Sequence, residues 1–379
     1  MIYLDWNATT PPAPEVLDAQ REAARSAWAN PASVHGEGRR ARATVERARQ
    51  AVADLCASDL RDVVLSSGGT EANNLALSLL LGVPGPRALV TSRLEHPSVS
   101  RTAESLARQG VEVVWVEPEP SGQVDSAKLL AAVDALEGRF RMVSLQAVNH
   151  ELGTLQPVAE LVRPLAERRV LFHCDAVQAA GRLDPASFRG VDLVSLAGHK
   201  LRGPKGIGAL ACRPGIELVP LLRGGAQERG LRPGTQDPIA CAGFAVACKL
   251  ALESPPRWAA IAPLRDELEA RLLELAGPDA AALNAPAPRA PHVINLSFAA
   301  WSGPELCAAL DLEGVAVSSG AACSAGTAEP SEVVRAVHGE ARAHGAVRIS
   351  LGELSTRDDV EQALAAFSRV LRRASPRGR

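Results

Sequence analysis

The sequence is poor in aromatic residues. Phenylalanine, tryptophan and tyrosine together make up 3% of its 379 residues, whereas hydrophobic residues make up 46% and charged residues 22%. The hydrophobic and charged fractions are those of an ordinary globular protein. With so few aromatic rings, the interior must consist mainly of alanine, leucine and valine, and the length suits two domains better than one.

Long hydrophobic runs and a large net charge are also missing. The longest apolar stretch, residues 75–83, contains a serine and a glycine and falls short of the roughly 20 residues that span a bilayer. The net charge of −2 argues against a surface for nucleic acid or membranes. Residues 1–5 resemble the start of a folded strand rather than a signal segment. We therefore expect a cytoplasmic protein with no membrane partner and no direct nucleic-acid partner.

The seven cysteines include no Cys-x-x-Cys pair and no Cys/His set with zinc spacing, so we expect neither a metal site nor disulfides. Cys323 differs from the others because residues 318–326 are serine, glycine and alanine, with no large apolar side chain to bury it. An accessible thiol in such a loop is suited to react. The cysteines expected in the core are Cys56, Cys174, Cys212, Cys241, Cys248 and Cys307.

Strand and helix signals alternate along the first two thirds of the chain. Short apolar runs predict seven strands, at residues 63–66, 88–91, 111–116, 142–147, 170–174, 191–196 and 207–211. Helices are predicted between them at residues 71–81, 98–109, 126–135 and 158–168. This alternation indicates an α/β fold with a mostly parallel sheet flanked by helices.

A proline pair at residues 255–256 marks the end of this region. Beyond it, the sequence predicts one long helix at residues 258–276, strands at 293–298, 315–318 and 347–351, and a final helix from Thr356. We therefore predict a large cofactor-binding domain at residues 16–256 and a smaller α+β domain at residues 257–379, which carries Cys323. Residues 1–15 are expected to pack with the small domain.

Polar groups follow five of the predicted strands. The glycine turn at residues 67–71 runs into a helix, and its free amides, with the Thr70 hydroxyl, suit a phosphate group. The groups after four other strands are His96, Asn149 with His150, Asp175, and His199 with Lys200. Each alone is compatible with an ordinary loop residue. Because ligands of open α/β sheets bind beyond the carboxyl ends of the strands, the five together predict a binding site.

Only four of the 41 basic residues are lysines, so each lysine is informative. Lys200 lies just past a strand end, and a lysine amine can form a Schiff base, which an arginine guanidinium cannot. A phosphate cradle, an acid at a strand end and a nearby lysine are what pyridoxal 5'-phosphate requires. The acid keeps a proton on the pyridine nitrogen, so that the ring withdraws electrons. The sequence therefore predicts this cofactor.

A series of motifs carries a resemblance to a known family. They include Gly69-Thr70-Glu71-Ala72-Asn73-Asn74, Asp175-Ala176-Val177-Gln178, Gly198-His199-Lys200 and Ser318-Ser319-Gly320-x-x-Cys323. In this order, and over nearly the whole chain, they resemble the group I cysteine desulfurases of iron–sulfur cluster assembly. That family belongs to the class V aminotransferase superfamily and has the fold of fold-type I pyridoxal-phosphate enzymes.

The resemblance implies a role for each matching residue. Lys200 would hold the cofactor and move the Cα proton, and His96 would stack on the ring and shuttle protons. Cys323 would take sulfur from L-cysteine as a persulfide, leaving L-alanine, and Arg348 would bind the substrate carboxylate. The implied cofactor contacts are Asp175 at the ring nitrogen, Gln178 at the phenolic oxygen, and Gly69, Thr70 and His199 at the phosphate, with Thr235 from the neighbouring subunit of a homodimer.

The resemblance also implies protein partners. The segment from Cys323 to Pro330 is similar to the segment with which group I enzymes deliver sulfur. Iron–sulfur scaffold proteins and tRNA-thiolation enzymes are the implied acceptors.

Two positions depart from the family pattern. Ala197 stands where the family usually has a serine that bonds the phosphate. His150 replaces the second asparagine of an Asn-Asn-Glu run, a residue that contacts the cofactor or substrate, and imidazole can carry charge. Both changes bear on affinity and substrate preference, but neither touches the lysine, the acid or the thiol.

Three other functions share parts of the pattern. A selenocysteine lyase would have the same fold and nearly all of the same residues. An ordinary aminotransferase would need no thiol at Cys323. A non-catalytic paralogue that acts as a binding scaffold rests only on the two departures, and the presence of Lys200, Asp175 and Cys323 argues against it.

Overall fold

The computed structural model describes residues 1–286, 288–320 and 330–374, so the predicted nucleophile Cys323 lies outside the described residues. The strands are β1 (Ile2–Tyr3), β2 (Val63–Ser66), β3 (Arg87–Ser92), β4 (Glu112–Val116), β5 (Phe140–Ser144), β6 (Leu171–Asp175), β7 (Leu193–Ala197), β8 (Gly208–Cys212), β9 (Ala281–Leu283), β10 (Val293–Phe298), β11 (Val315–Ala316) and β12 (Ala346–Ser350). The helices are α1 (Pro14–Ser26), α2 (Gly36–Cys56), α3 (Gly69–Gly82), α4 (Pro97–Arg108), α5 (Ser126–Asp134), α6 (Val158–Glu167), α7 (Pro238–Glu253), α8 (Pro255–Ala259), α9 (Ala262–Ala276), α10 (Gly303–Leu312), α11 (Glu332–His338), α12 (Glu340–His344) and α13 (Arg357–Ala374).

Seven strands form the large sheet, in the order β2-β8-β7-β6-β5-β3-β4. The strands from β7 to β4 are parallel to one another, whereas β8 runs antiparallel to both of its neighbours. Successive strand residues face opposite sides: Val63 and Leu65 pack with α2 and α7, while Val64 packs with α3 and α4. The predicted α/β fold with a mostly parallel sheet is confirmed.

The carboxyl ends of β3, β5, β6 and β7 lie along one edge of this sheet. Beyond β5 the chain keeps a sheet-like pairing with β6, because the Leu145 amide donates to the His173 carbonyl at 3.1 Å and the Ala147 amide donates to the Asp175 carbonyl at 3.0 Å. The segment after Ala147 therefore emerges beside the end of β6, which brings residues 149–151 close to Asp175.

The prediction of a single helix over residues 258–276 was wrong. The structure has two helices, α8 and α9, with a break at Ala260 and Ile261. Pro263 explains the break, since it has no amide to donate to the Ala259 carbonyl and its ring would collide with that carbonyl in a continuous helix. Pro255 begins α8 instead of only interrupting the chain, because the first helical position needs no amide donor.

The remaining strands form two small sheets. β12, β10 and β9 are antiparallel, and β1 pairs in parallel with β11, with Ile2 opposite Val315. One apolar cluster joins Ile2, Leu4 and Trp6 to these strands and to α9, α10 and α13. This cluster packs Ile2, Leu4 and Trp6 against the small domain, whereas the amides of Thr10 and Ala13 donate to carbonyls of His199 and Arg202. The N-terminal segment of residues 1–15 and the boundary at residue 256 stay predictions. None of the described helices is long and apolar enough to cross a membrane.

Candidate active site

A cavity of about 150 Å³ opens at the carboxyl edge of the large sheet. Nine of the ten described residues that the sequence predicted for the site line it: Gly69, Thr70, His96, His150, Asp175, Gln178, His199, Lys200 and Arg348. They come from separate strand ends and from β12 of the small domain. The tenth, Thr235, is exposed and does not line this cavity.

The start of α3 forms one end of the cavity. A Cβ atom on Gly69 would stand 2.7 Å from Cγ2 of Val177, so only glycine lets the helix begin this close to the segment after β6. The same Cβ position lies 3.5 Å from Cβ of Ala197 at the end of β7. Free amides at a helix start attract anions, and position 197 adjoins them, so this end of the cavity suits a phosphate group.

Asp175 is the last residue of β6 and is buried. Its Oδ1 accepts a hydrogen bond from the Val177 amide at 3.0 Å, and its Oδ2 accepts one from Nδ2 of Asn73 at 2.7 Å. Both of these donors are neutral, so they orient the carboxylate without cancelling its charge. A protonated ring nitrogen bound in the cavity would place a positive charge beside the Asp175 carboxylate. Asn73 belongs to the motif of residues 69–74, but no role was predicted for it from the sequence.

Lys200 follows β7 in a single helical turn, and its Nζ donates to the Asn7 and Ala8 carbonyls, the latter at 3.0 Å. The side-chain amide of Gln178 also donates to the Asn7 carbonyl, at 3.0 Å. Asn7 itself is held by its own side chain, which donates to the His150 carbonyl at 3.2 Å. The sequence offered no local signal for Asn7, because its partners lie more than 140 positions away.

His96 caps the start of α4, where its Nδ1 accepts from the Ser98 amide at 3.1 Å. Its ring meets the His150 ring edge to face, with 5.2 Å between the ring centres and 73° between the planes. Burial, followed by the charge of His150, lowers the pKa of His96 to about 4. The His96 ring is therefore neutral at pH 7, as suits a group that stacks on an aromatic cofactor.

His150, one of the two departures from the family pattern, lies in the cavity wall. Its Nε2 stands 3.6 Å from Oε1 of Glu151. Burial alone would raise the pKa of Glu151, but contacts with His150, Ser331 and Arg348 outweigh it and hold the pKa below its usual value. An ionised carboxylate therefore lies beside the His150 ring.

Arg348 projects from β12 and is almost fully buried. Its Nη1 donates to the His150 carbonyl at 2.9 Å and its Nη2 pairs with Oδ1 of Asp5 at 2.7 Å, whereas no described group accepts from its Nε. The guanidinium is thus fixed in direction and has donor capacity left. A substrate carboxylate at the cavity could use that capacity.

The residues of this cavity fit pyridoxal phosphate. An anion cradle at Gly69, a buried acid at Asp175 and an amine at Lys200 lie around one space, and a neutral imidazole at His96 forms part of its wall. These are the groups that hold the phosphate, the ring nitrogen, the aldehyde carbon and the ring face of that cofactor.

Comparisons with known proteins agree with the geometry. Residues 2–363 match the family model described as aminotransferase class-V. A cysteine desulfurase of Enterobacter agglomerans is 37% identical over 98% of this chain and 93% of its own length. The solved structure titled "NIFS-LIKE PROTEIN" has a TM-score of 0.88 and 31% identity, covering 98% of this chain and 99% of its own. "SspA in complex with cysteine" has a TM-score of 0.80 and 30% identity, covering 94% of this chain and 100% of its own. The chain belongs to the class-V aminotransferase family and, within it, to the cysteine desulfurases.

Proposed function

We propose that the protein is a pyridoxal-phosphate-dependent enzyme that transfers the sulfur of L-cysteine to its own Cys323 and releases L-alanine. One observation carries the proposal: nine residues that sequence reasoning assigned to this chemistry, from distant parts of the chain, line a single cavity around Lys200. The relatives named cysteine desulfurase and the neighbour whose title includes cysteine support the same substrate.

The bound cofactor would supply an electron sink for the substrate's Cα. Asp175, with its orientation set by Asn73, keeps the proton on the ring nitrogen that this role needs. Lys200 would hold the cofactor and move the Cα proton of the substrate. The neutral His96 ring would pack on the cofactor face without competing for the substrate carboxylate.

Arg348 binds the substrate carboxylate. The guanidinium is held by Asp5 and by the His150 carbonyl, so it meets the substrate without first having to be ordered. Because Arg348 and Lys200 line the same cavity, such preorganisation would hold the substrate's Cα near Lys200.

Sulfur transfer then needs one nucleophile. The Cys323 thiolate attacks the substrate sulfur, a sulfur–sulfur bond forms, and the bond between sulfur and Cβ breaks. The electron pair of the broken bond passes to Cβ, which takes up one proton and completes alanine. Cys323 loses one proton when its thiol becomes a thiolate, so the number of protons is unchanged. The persulfide is the form in which sulfur passes to an acceptor protein, such as an iron–sulfur scaffold.

We also propose a homodimer in which Thr235 reaches the phosphate of the neighbouring subunit. Thr235 is exposed, as a residue that acts across an interface must be in one isolated chain. Leu221 and Leu222 are exposed as well, and Leu221 borders a cavity of about 600 Å³ that also includes Thr70 and His96 of the site. Apolar groups in this position are expected to be covered in an assembly.

The proposed location is the cytoplasm. All six described cysteines are free, which is usual in a reducing compartment.

The decisive experiment is to incubate the purified protein with L-cysteine and a reductant and to measure alanine and sulfide. Equal amounts of both are expected. A parallel incubation with selenocysteine distinguishes a selenocysteine lyase, which would release alanine only there. Binding of the cofactor without alanine from either substrate would contradict the proposed activity.

A further inference from the structure

Arg182 is a buried cation next to the cofactor cavity that the proposed mechanism does not use. It lies after β6, only 1% of its surface is exposed, and its guanidinium carbon stands 5.1 Å from the centre of the Trp258 ring. Its described hydrogen-bond partners are all carbonyl oxygens: those of the Gln178 side chain, the Gln178 backbone and Trp6. No described carboxylate bonds to it directly, although the charge of Glu353 acts on it from a distance and opposes the fall in its pKa.

The contact with Gln178 has a directional consequence. A guanidinium donates hydrogen bonds and accepts none, so it can meet only the oxygen end of the Gln178 amide. The nitrogen end must then point the other way, and Nε2 of Gln178 does donate to the Asn7 carbonyl beside Nζ of Lys200. Gln178 lines the cavity, and its amide has a second N–H besides the one bonded to Asn7.

We propose that Arg182 is a positioning residue that fixes the direction of the Gln178 amide, so that its N–H faces the phenolic oxygen of the cofactor. This inference rests on the proposed function. Without Arg182, only the bond to the Asn7 carbonyl would orient the amide. In the reversed orientation its oxygen end would repel the anionic oxygen of the ring. Burial lowers the pKa of Arg182 to about 9, so the guanidinium keeps its charge at neutral pH.

A purely structural role is the alternative. Arg182 also bonds the Trp6 carbonyl and stacks on Trp258, and it could simply join residues 1–15 and α8 to the large domain. Removing Arg182 alone would not separate the two roles, because both predict lower stability. Changing Gln178 does separate them.

The test is the Gln178→Glu variant, with Gln178→Leu as the matched control. A carboxylate at position 178 can pair with Arg182 and offers no N–H to the cofactor. We expect Gln178→Glu to raise the melting temperature of the cofactor-free protein while lowering its affinity for pyridoxal phosphate about tenfold to a hundredfold, since hydrogen bonds to charged groups are of that strength. Gln178→Leu should lose affinity without gaining stability.

Acidification provides a second measurement. Pairing with Arg182 depresses the pKa of the introduced carboxylate in the folded state, so the extra stability should be present at neutral pH and disappear as the pH falls through that pKa. In an Arg182→Met background, Gln178→Glu should no longer stabilise the protein. The inference is refuted if Gln178→Glu destabilises the cofactor-free protein as much as Gln178→Leu does, or if its gain survives in Arg182→Met. Failure of the unaltered protein to bind pyridoxal phosphate would instead refute the proposed function.

Discussion

The substitution Ala197→Ser restores a hydroxyl at a position where the family usually has one. Ala197 ends β7, is 1% exposed and faces the start of α3, with its Cβ 3.5 Å from the place where a Gly69 Cβ would stand. A serine hydroxyl there can reach a phosphate at the helix start. A hydrogen bond to a charged group contributes about 1.5–3 kcal/mol, which corresponds to roughly a tenfold to hundredfold slower loss of cofactor.

The same hydroxyl has the opposite effect without cofactor. It is then buried without its anionic partner, which typically costs about 1–3 kcal/mol, so the cofactor-free variant should melt at a lower temperature than the unaltered protein. Ala211→Ser is a matched control, because Ala211 is 2% exposed on β8 and does not line the cavity. It should lose stability but leave cofactor release unchanged.

The assay follows the absorbance of bound cofactor during dialysis of the two variants and the unaltered protein. Slower release from Ala197→Ser alone is the expected result, with alanine production per bound cofactor little changed. If Ala197→Ser and the unaltered protein release cofactor at the same rate, the phosphate already has its full set of donors and the reasoning is wrong.

Three further predictions follow from the site. Borohydride should fix the yellow cofactor to Lys200, and finding the reduced adduct on Lys205 by peptide mass analysis would overturn the assignment. Cys323→Ala should still bind cofactor and change colour with cysteine but make almost no alanine, so near-normal alanine release would show that another group attacks the sulfur. Burial and the charge of His150 are the two main causes of the low pKa of His96. Because His150→Asn removes the second, the pKa of His96 should rise. The acid limb of the pH–rate curve should therefore move to higher pH, and an unchanged curve would mean that the ring of His150 is not coupled to the reaction.

Much of the fold and site follows from local sequence patterns. β2, for example, is an apolar run between polar turns, and it was predicted with its observed ends. The final helix was predicted to begin at Thr356, and this residue caps its start: the Thr356 hydroxyl accepts from the Asp359 amide at 3.2 Å, and the Thr356 amide donates to Oδ2 of Asp359 at 2.8 Å. Asp175 and Lys200 were found because polar groups follow five strand ends, the edge at which ligands of such sheets bind.

What the sequence could not predict depends on distant contacts. The antiparallel direction of β8 has no signature in its apolar pattern, since parallel and antiparallel strands share the same side-chain alternation. Asn7 carries no local signal, because its partners are brought together only by the folded chain. Arg182 bonds Gln178 four positions away, but its contacts with Trp6 and Trp258 also depend on the fold. The prediction of one helix over residues 258–276 gave too much weight to its periodicity and too little to Pro263.

The pairing of the first residues with the last strand determines when the site can exist. The Ser350 amide donates to the Leu4 carbonyl at 2.7 Å, and the Asn7 amide donates to Oγ of Ser350 at 2.9 Å, across 343 positions of sequence. During synthesis Asn7 leaves the ribosome 343 positions before Ser350 of its partner strand β12. The backbone carbonyls that hold Lys200 therefore reach their final position only after β12 has left the ribosome. A nascent chain can assemble the large sheet early, but it cannot complete a cofactor site before its C-terminal strand is available.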